Sequence, residues 1–126
     1  MPTKRILIVD DEESIQIVVQ FGIQMMTDWE VLTASSGSEG IQTARTERPD
    51  AILLDAIMPD MDGIATFHAL HSYPETAKIP VVFLTAKAQT SDQQKFSDLG
   101  VSGVITKPFN SLDLPDRIVK LLDWSL

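Results

Sequence analysis

The chain has 126 residues, of which 44% are hydrophobic and 22% charged, a balance typical of one globular domain and not of a disordered or disulfide-stapled chain. It contains no cysteine, which excludes disulfide frameworks, thiol nucleophiles and zinc–thiolate centres. Its net charge of -8, with no Lys/Arg cluster beyond Lys4-Arg5, argues against direct binding of nucleic acid.

Short apolar runs alternate with helical periodicity in the first half of the chain. The first strand is predicted at 5–9, and the first helix follows Asp11-Glu12-Glu13-Ser14, an acidic first turn that suits the helix dipole. The apolar positions of this helix keep the helical spacing: Ile15, Val18, Val19, Gly22, Ile23 and Met26. The second strand is predicted at 30–34, and the second helix starts around Ser36 and ends before Pro49.

The alternation continues in the second half. Three strands are predicted, at 51–54, 81–84 and 103–106. Three helices are predicted, one after Pro59 and Gly63 carrying Ile64, Phe67 and Leu70, one at 90–99 and one at about 111–122. Gly100 ends the fourth helix, and the fifth has Pro115 in its first turn and Leu114, Ile118 and Leu121 facing inward. The pattern predicts one α/β domain over residues 1–126 with a five-stranded parallel sheet.

Carboxylates follow two of the predicted strands. Asp10-Asp11 ends the first strand and Asp55 ends the third. Because parallel strands with right-handed crossovers end at one edge of the sheet, the three carboxylates should lie close together. Crowded carboxylates repel one another, so the group needs a counter-cation to stay ionised at neutral pH. Oxygen ligands favour a hard divalent metal such as Mg2+.

A hydroxyl and an ammonium group should face the same aspartate. Thr85 follows the fourth strand and Lys107 follows the fifth. An aspartate can act as a nucleophile that forms an aspartyl phosphate. A lysine, a threonine hydroxyl and a metal would stabilise the phosphoryl oxygens. The arrangement therefore predicts transfer of a phosphoryl group onto Asp55.

Four stretches in this order resemble the receiver domains of two-component response regulators. They are Ile8-Val9-Asp10-Asp11-Glu12, Leu54-Asp55-x-x-Met58-Pro59-x-Met61-Asp62-Gly63, Leu84-Thr85-Ala86 and Lys107-Pro108-Phe109. The resemblance covers essentially the whole chain. It implies a doubly wound, flavodoxin-like receiver fold with five helices and strand order 2-1-3-4-5.

The resemblance also implies a role for each site residue. Asp55 would be phosphorylated from a histidine, and Asp11 and Asp55 would bind Mg2+ directly. Asp10 would act largely through a bound water, and the backbone carbonyl of Ile57 would complete the protein ligands. Thr85 and Lys107 would be the switch hydroxyl and the phosphoryl-contacting lysine. The Lys107-Pro108 peptide bond would be cis.

Three positions bear on how such a switch would work. Val104 stands where an aromatic side chain usually couples to the switch threonine, and valine has few rotamers and no ring to move. Activation is therefore predicted to be read through the loop 86–89 and the fourth helix. Ile57 and Lys87 stand where relatives tune hydrolysis of the phospho-aspartate, and an apolar Ile57 predicts a long-lived phosphoryl group.

The leading function is a phosphorylation switch, not an enzyme with turnover. Its predicted partners are a histidine kinase or phosphotransfer protein, contacted by the first helix and the loop after the fifth strand, and a downstream protein target. A phosphorylation-dependent homodimer is possible. No signal-peptide or membrane-spanning stretch occurs, so a cytoplasmic protein without membrane contact is expected.

Two alternatives stay open on the sequence, and two others are disfavoured by it. The chain could be a receiver excised from a longer regulator or hybrid kinase, or a receiver-like interaction module that is never phosphorylated. An aspartate-nucleophile phosphatase would carry a second aspartate two residues after the nucleophile. Here the residue two positions after Asp55 is Ile57, and the residue two positions after Asp10 is Glu12, so neither pair matches. A flavin-binding relative would need a Ser/Thr/Gly-rich loop after the first strand, where residues 10–13 are acidic.

Overall fold

The sheet has the predicted parallel topology. The computed structural model describes residues 3–58, 62–86 and 90–124. The strands are β1 (Arg5–Val9), β2 (Glu30–Ala34), β3 (Ala51–Asp55), β4 (Val81–Thr85) and β5 (Gly103–Thr106), in the order β2-β1-β3-β4-β5. The helices are α1 (Glu13–Met26), α2 (Gly37–Glu47), α3 (Gly63–Ser72), α4 (Thr90–Leu99) and α5 (Leu114–Leu122), with a 3-10 helix at Ser111–Asp113 before the last. All four strand pairs are parallel, which confirms the fold and strand order implied by the resemblance.

The three central strands are buried on both faces, which explains their continuous apolar runs. Alternate residues point to opposite faces, so Ile6 and Ile8 enter one apolar cluster whereas Leu7 and Val9 enter the other. The first cluster is covered by α1 and α5, and the second receives side chains from α2, α3 and α4. Because this packing fixes the central strands from both sides, it also fixes where their carboxyl ends lie.

The helix starts and ends follow local signals. Ser36 caps α2, its hydroxyl accepting from the Glu39 N–H at 3.1 Å, and Asp62 caps α3, its carboxylate accepting from the Ala65 N–H at 2.8 Å. Gly100 has a φ of +95° directly after α4, a backbone conformation that favours glycine. The predicted bounds of α2 and α4 are confirmed.

The helical predictions were wrong in three details. On α1 the buried face is formed by Gln16, Val19, Gly22 and Ile23, while Val18 and Met26 are exposed. The last helix begins with the 3-10 turn, so α5 proper starts at Leu114. Leu121 is 38% exposed although it was predicted to face inward. It lies against Gly103 on β5, which is an edge strand of the described sheet.

Trp124 packs against the end of the molecule opposite the strand carboxyl ends. Its ring meets Trp29 edge-on at 5.5 Å between centroids, and the Lys4 ammonium lies 4.7 Å from its centroid. Both tryptophans therefore have a packing role. Within the described ranges, every helix is too short or too polar to cross a bilayer.

Candidate functional site

Three carboxylates meet where β1 and β3 end. The two strands pair in register, Val9 beside Leu54, so Asp10 and Asp55 occupy adjacent places at the same edge of the sheet. Asp11 follows on the turn into α1, and one carboxylate oxygen from each of the three aspartates lies within 4.8 Å of the others. Throughout residues 3–58, 62–86 and 90–124, this is the one group of three acidic or histidine side chains close enough to share a cation. The predicted clustering is confirmed.

Asp10 is fully buried and held by two donors. Its Oδ1 accepts from the Glu12 N–H at 2.9 Å, and its Oδ2 accepts from the Lys107 ammonium at 3.1 Å. These charge-assisted bonds balance the cost of burying a carboxylate. Asp11, by contrast, is exposed, so the group has a buried inner wall and an open outer side.

Asp55 is 4% exposed, and its charge is poorly compensated. Its Oδ1 accepts from the Ile57 N–H at 3.0 Å, and its Oδ2 lies 3.6 Å from the Lys107 ammonium. Burial, with a smaller contribution from the charges of Asp10 and Asp11, raises the pKa of Asp55 from 3.8 to about 6. A neighbouring cation would lower that pKa and keep the carboxylate ionised.

Lys107 bridges two carboxylates from the end of β5. Burial lowers its pKa, but the hydrogen bond to Asp10 and the charges of Asp55 and Asp10 outweigh that effect, so the pKa lies above its ordinary value. The ammonium therefore remains charged at neutral pH. The sequence predicted that Lys107 would face Asp55; its shorter contact is with Asp10.

Backbone pairing places Thr85 and Lys107 beside one another. Thr85 is the last residue of β4 and is buried, and the Lys107 N–H donates to the Thr85 carbonyl at 2.8 Å. The Ala56 N–H donates to the Leu84 carbonyl at 3.0 Å, which ties the residue after Asp55 to β4. The Lys107-Pro108 peptide bond is cis, as predicted.

Two of the positions singled out against the family pattern, Ile57 and Val104, lie within the described residues. Ile57 is 51% exposed directly after the Asp55 turn. Val104 is half-buried and pairs with Phe83 across β5 and β4, packing on the apolar cluster below α4. Of the other predicted positions, Pro59, Met61 and the loop residues 87–89 lie outside the described residues.

Gln16 contacts the site backbone and was not singled out from the sequence. Its side-chain amide donates to the Asp10 carbonyl at 2.7 Å from the buried face of α1. The sequence does contain a signal for this residue. Gln16 lies three positions before Val19 and seven before Ile23, so it is a polar residue on an otherwise apolar face of the helix.

The donor set suits a hard cation. The three carboxylates supply oxygen ligands, the kind that Mg2+ prefers, and one lysine cannot neutralise three negative charges. An exposed outer side at Asp11 leaves room for ligands beyond those of the protein.

A family model described as the response regulator receiver domain matches residues 6–119. The alkaline phosphatase synthesis transcriptional regulatory protein PhoP of Bacillus subtilis is 37% identical over 119 residues, which are 94% of this chain and 48% of that protein. The probable transcriptional regulatory protein TcrX of Mycobacterium tuberculosis is 36% identical over 117 residues, which are 93% of this chain and 49% of that protein. The chain spans about half the length of the curated relatives it matches.

Solved structures share the fold over nearly the whole chain. The chemotaxis protein CheY4 of Vibrio cholerae has a TM-score of 0.87 at 29% identity, with 95% of this chain and 99% of that chain covered. The signal receiver domain of a signal transduction histidine kinase from Syntrophus aciditrophicus has a TM-score of 0.82 at 29% identity, with 96% and 91% covered.

Proposed function

We propose that this chain, which belongs to the family of response regulator receiver domains, is a switch that is phosphorylated on Asp55. The observation that carries the proposal is the placement of the Asp55 carboxylate, buried beside two further carboxylates and 3.6 Å from the Lys107 ammonium. A nucleophile, a lysine and an oxygen-rich cation site thus share one edge of the sheet. These are the groups that phosphoryl transfer requires.

The reaction is transfer of a phosphoryl group from a phosphohistidine of a kinase or phosphotransfer protein. A carboxylate oxygen of Asp55 forms a bond to phosphorus while the bond from phosphorus to the histidine nitrogen breaks, and the nitrogen keeps that electron pair. The Lys107 ammonium, 3.6 Å from Asp55, stabilises negative charge on the phosphoryl oxygens. Thr85 supplies a hydroxyl from the end of β4.

Asp10, Asp11 and Asp55 would hold Mg2+, together with the backbone carbonyl of Ile57. The fit rests on three carboxylate oxygens within 4.8 Å of one another. The bound ion would supply positive charge that offsets the repulsion between Asp55 and the incoming phosphoryl group. The protein's own part is to hold Asp10 and Asp55 buried and correctly placed.

The change in conformation would start at Lys107. Its ammonium is shared between Asp10 at 3.1 Å and Asp55 at 3.6 Å, so new negative charge on Asp55 draws it away from Asp10. Because the Lys107 N–H is bonded to the Thr85 carbonyl, movement of β5 reaches the end of β4. The Phe96 ring of α4 meets Phe83 of β4 edge-on at 5.0 Å between centroids, which links that strand to the helix.

With Val104 in place of an aromatic residue, we propose that the signal is read through the 86–89 loop and α4. Exposed Ile57 beside the site favours a slow loss of the phosphoryl group, because an apolar side chain hinders an attacking water. A phosphoryl lifetime of seconds would contradict the expected slow loss. Backbone resonances across 86–99 that stay unchanged on binding of beryllofluoride, a phosphoryl mimic, would contradict the proposed readout through the loop and α4.

The kinase would dock on α1 and the loop after β5. Three apolar residues of α1, Ile17, Phe21 and Met25, are exposed and four positions apart, so they form one stripe along the helix that begins at the acidic turn. Exposed apolar patches of this kind mark protein interfaces. The downstream target is a protein that distinguishes the two conformations. The second candidate partner is another copy of this chain, which would give a phosphorylation-dependent homodimer.

The relatives named above are transcriptional regulators of about twice this length. We propose that residues 1–126 form one receiver domain, and that these residues do not bind nucleic acid themselves. A phosphatase on a similar fold is disfavoured because Ile57, not an aspartate, lies two positions after Asp55. Turnover of a phosphate ester would reverse that choice.

Mass spectrometry after incubation with Mg2+ and acetyl phosphate tests the proposed function. We expect one added phosphoryl group located on Asp55 and none on the Asp55→Asn variant. Asp11→Asn should weaken binding of Mg2+ in the absence of any phosphoryl donor. A wild-type protein that takes up no phosphoryl group with Mg2+ present would favour the unphosphorylated interaction module instead.

A further inference from the structure

A single buried amide connects α1 to the ends of two strands. Gln16 is 8% exposed and shares the buried face of α1 with Val19, Gly22 and Ile23. The two N–H groups of its side-chain amide are shared among three acceptors, the Asp10 carbonyl at 2.7 Å, the Ser35 hydroxyl at 3.1 Å and the Ala34 carbonyl at 3.3 Å. The carbonyls only accept hydrogen bonds, so it is the nitrogen of the amide that must face them.

The contacts of Gln16 join the carboxyl ends of β1 and β2. The Ala34 carbonyl also accepts from the Asp10 N–H at 3.0 Å, so the same oxygen receives a strand bond and the amide. Asp10 is therefore held at its N–H by Ala34 and at its carbonyl by Gln16. Its carboxylate is held separately by the Glu12 N–H and by Lys107.

The carbonyl that Gln16 holds belongs to the peptide group between Asp10 and Asp11. Since a peptide group is planar, fixing its oxygen also fixes the direction in which the chain continues to Asp11. Asp11 is exposed on the turn into α1. The orientation of its carboxylate thus depends on the backbone that Gln16 fixes.

We infer that Gln16 is a positioning residue for the cation site: it holds the Asp10–Asp11 peptide so that both carboxylates point at one ion. This inference rests on the proposed function, since it assumes that Mg2+ binds there. Groups one step removed from a metal typically change its affinity by about 10-fold or more when they are removed. Gln16 acts through the backbone of two of the proposed ligands, so we expect a loss at the lower end of that range.

Gln16→Met tests the inference, because methionine keeps the length of the side chain and removes the donor. The matched control is Thr76→Val, which also removes a buried donor, the Thr76 hydroxyl bonded to the Leu70 carbonyl at 2.5 Å. Thr76 precedes β4, so it lies on the side of the amino ends of the strands, whereas the site lies at their carboxyl ends. Both changes should lower thermal stability, but only Gln16→Met should weaken binding of Mg2+, measured by calorimetric titration, by about 10-fold.

The kinetics separate positioning from general damage. In Gln16→Met the Mg2+ concentration that gives half-maximal labelling by acetyl phosphate should rise by the same factor. The labelling rate at saturating Mg2+ should stay within about twofold of wild type, since the reacting groups are intact. Mg2+ affinity in Gln16→Met equal to that of wild type, or an equal loss in Thr76→Val, would overturn the inference.

The wild-type protein gives a measurement that does not depend on the variant folding. Saturating Mg2+ should shift the side-chain amide resonances of Gln16 in an NMR titration, and should leave those of exposed Gln24, further along the same helix, unchanged. Gln16 resonances that do not respond would overturn the inference. If wild type shows no binding of Mg2+ by calorimetry, the proposed function fails; if it binds and Gln16 is indifferent, only the positioning role fails.

Discussion

Removing the charge of Asp55 should stabilise the metal-free protein at neutral and alkaline pH. The carboxylate is buried beside Asp10 and Asp11, and burial is the main reason that its pKa rises from 3.8 to about 6. Asp55→Asn keeps the shape of the side chain and an oxygen that can accept from the Ile57 N–H, now at 3.0 Å. The substitution therefore removes mainly the cost of the buried charge.

The sign and size follow from proton binding. Well below pH 3.8 Asp55 is protonated in both the folded and the unfolded chain, so it contributes no difference. As pH rises from 3.8 to about 6, the folded state keeps a proton that the unfolded state has lost, and the free energy of unfolding falls. At about 1.4 kcal/mol for each pH unit, the rise in pKa from 3.8 to about 6 corresponds to a loss of about 3 kcal/mol above that window.

Urea denaturation in the presence of EDTA measures this loss. The free energy of unfolding of Asp55→Asn should exceed that of wild type by about 2.5 kcal/mol more at about pH 8 than at about pH 4, where part of the loss has already occurred. Asp28→Asn, which neutralises an exposed carboxylate on the loop before β2, is the surface control. A gap between Asp55→Asn and wild type that fails to widen with pH would refute the reasoning. Adding Mg2+ at high pH should stabilise wild type and narrow the gap.

Lys107→Ala should retain binding of Mg2+, because it removes a cation and no metal ligand. It should abolish the backbone chemical-shift changes that beryllofluoride produces in β4 and β5. Loss of Mg2+ binding in this variant would count against the assigned roles. Gly22→Ala should lower the free energy of unfolding by about 3 kcal/mol or more, since its methyl would lie 2.1 Å from the Ser111 carbonyl oxygen. Gly103→Ala is the control, with a cost within about 1 kcal/mol, since its methyl meets a flexible leucine side chain; equal costs in urea denaturation would contradict the distinction. Phe21→Ser should slow transfer from a histidine kinase that labels wild type and leave labelling by acetyl phosphate unchanged; equal slowing of both would exclude a docking role for the stripe on α1.

Local patterns were sufficient to predict the sheet. Runs such as Ala51 to Leu54 have no polar side, so they fit only strands covered on both faces, and their short spacing leaves room only for crossover helices. Parallel strands bring Asp10, Asp11 and Asp55 to one edge of the sheet, and the strand order implied by the resemblance makes β1 and β3 neighbours there. The clustering of the carboxylates was for this reason predictable before any contact was known.

Contacts that depend on side-chain reach could not be predicted in the same way. The strand order places Lys107 near both carboxylates, but only the packed structure gives the shorter distance to Asp10. Leu121 has the right helical spacing to face inward, yet it lies over the edge strand, where burial is incomplete. The spacing of apolar residues along a helix predicts which side of the helix faces inward, but it does not show which neighbouring element covers that side.

The arrangement also explains why this site costs the fold stability. The backbone N–H groups of Glu12 and Ile57 and one lysine hold carboxylates that repel one another. That compensation is incomplete at Asp55, as its raised pKa of about 6 indicates. A protein selected for stability alone would replace Asp55 with a neutral residue. The buried charge of Asp55 is stabilised only when a cation binds, or when a phosphoryl group and its partners arrive. The free energy of the fold is therefore coupled to cation binding and phosphorylation, and a switch requires such coupling.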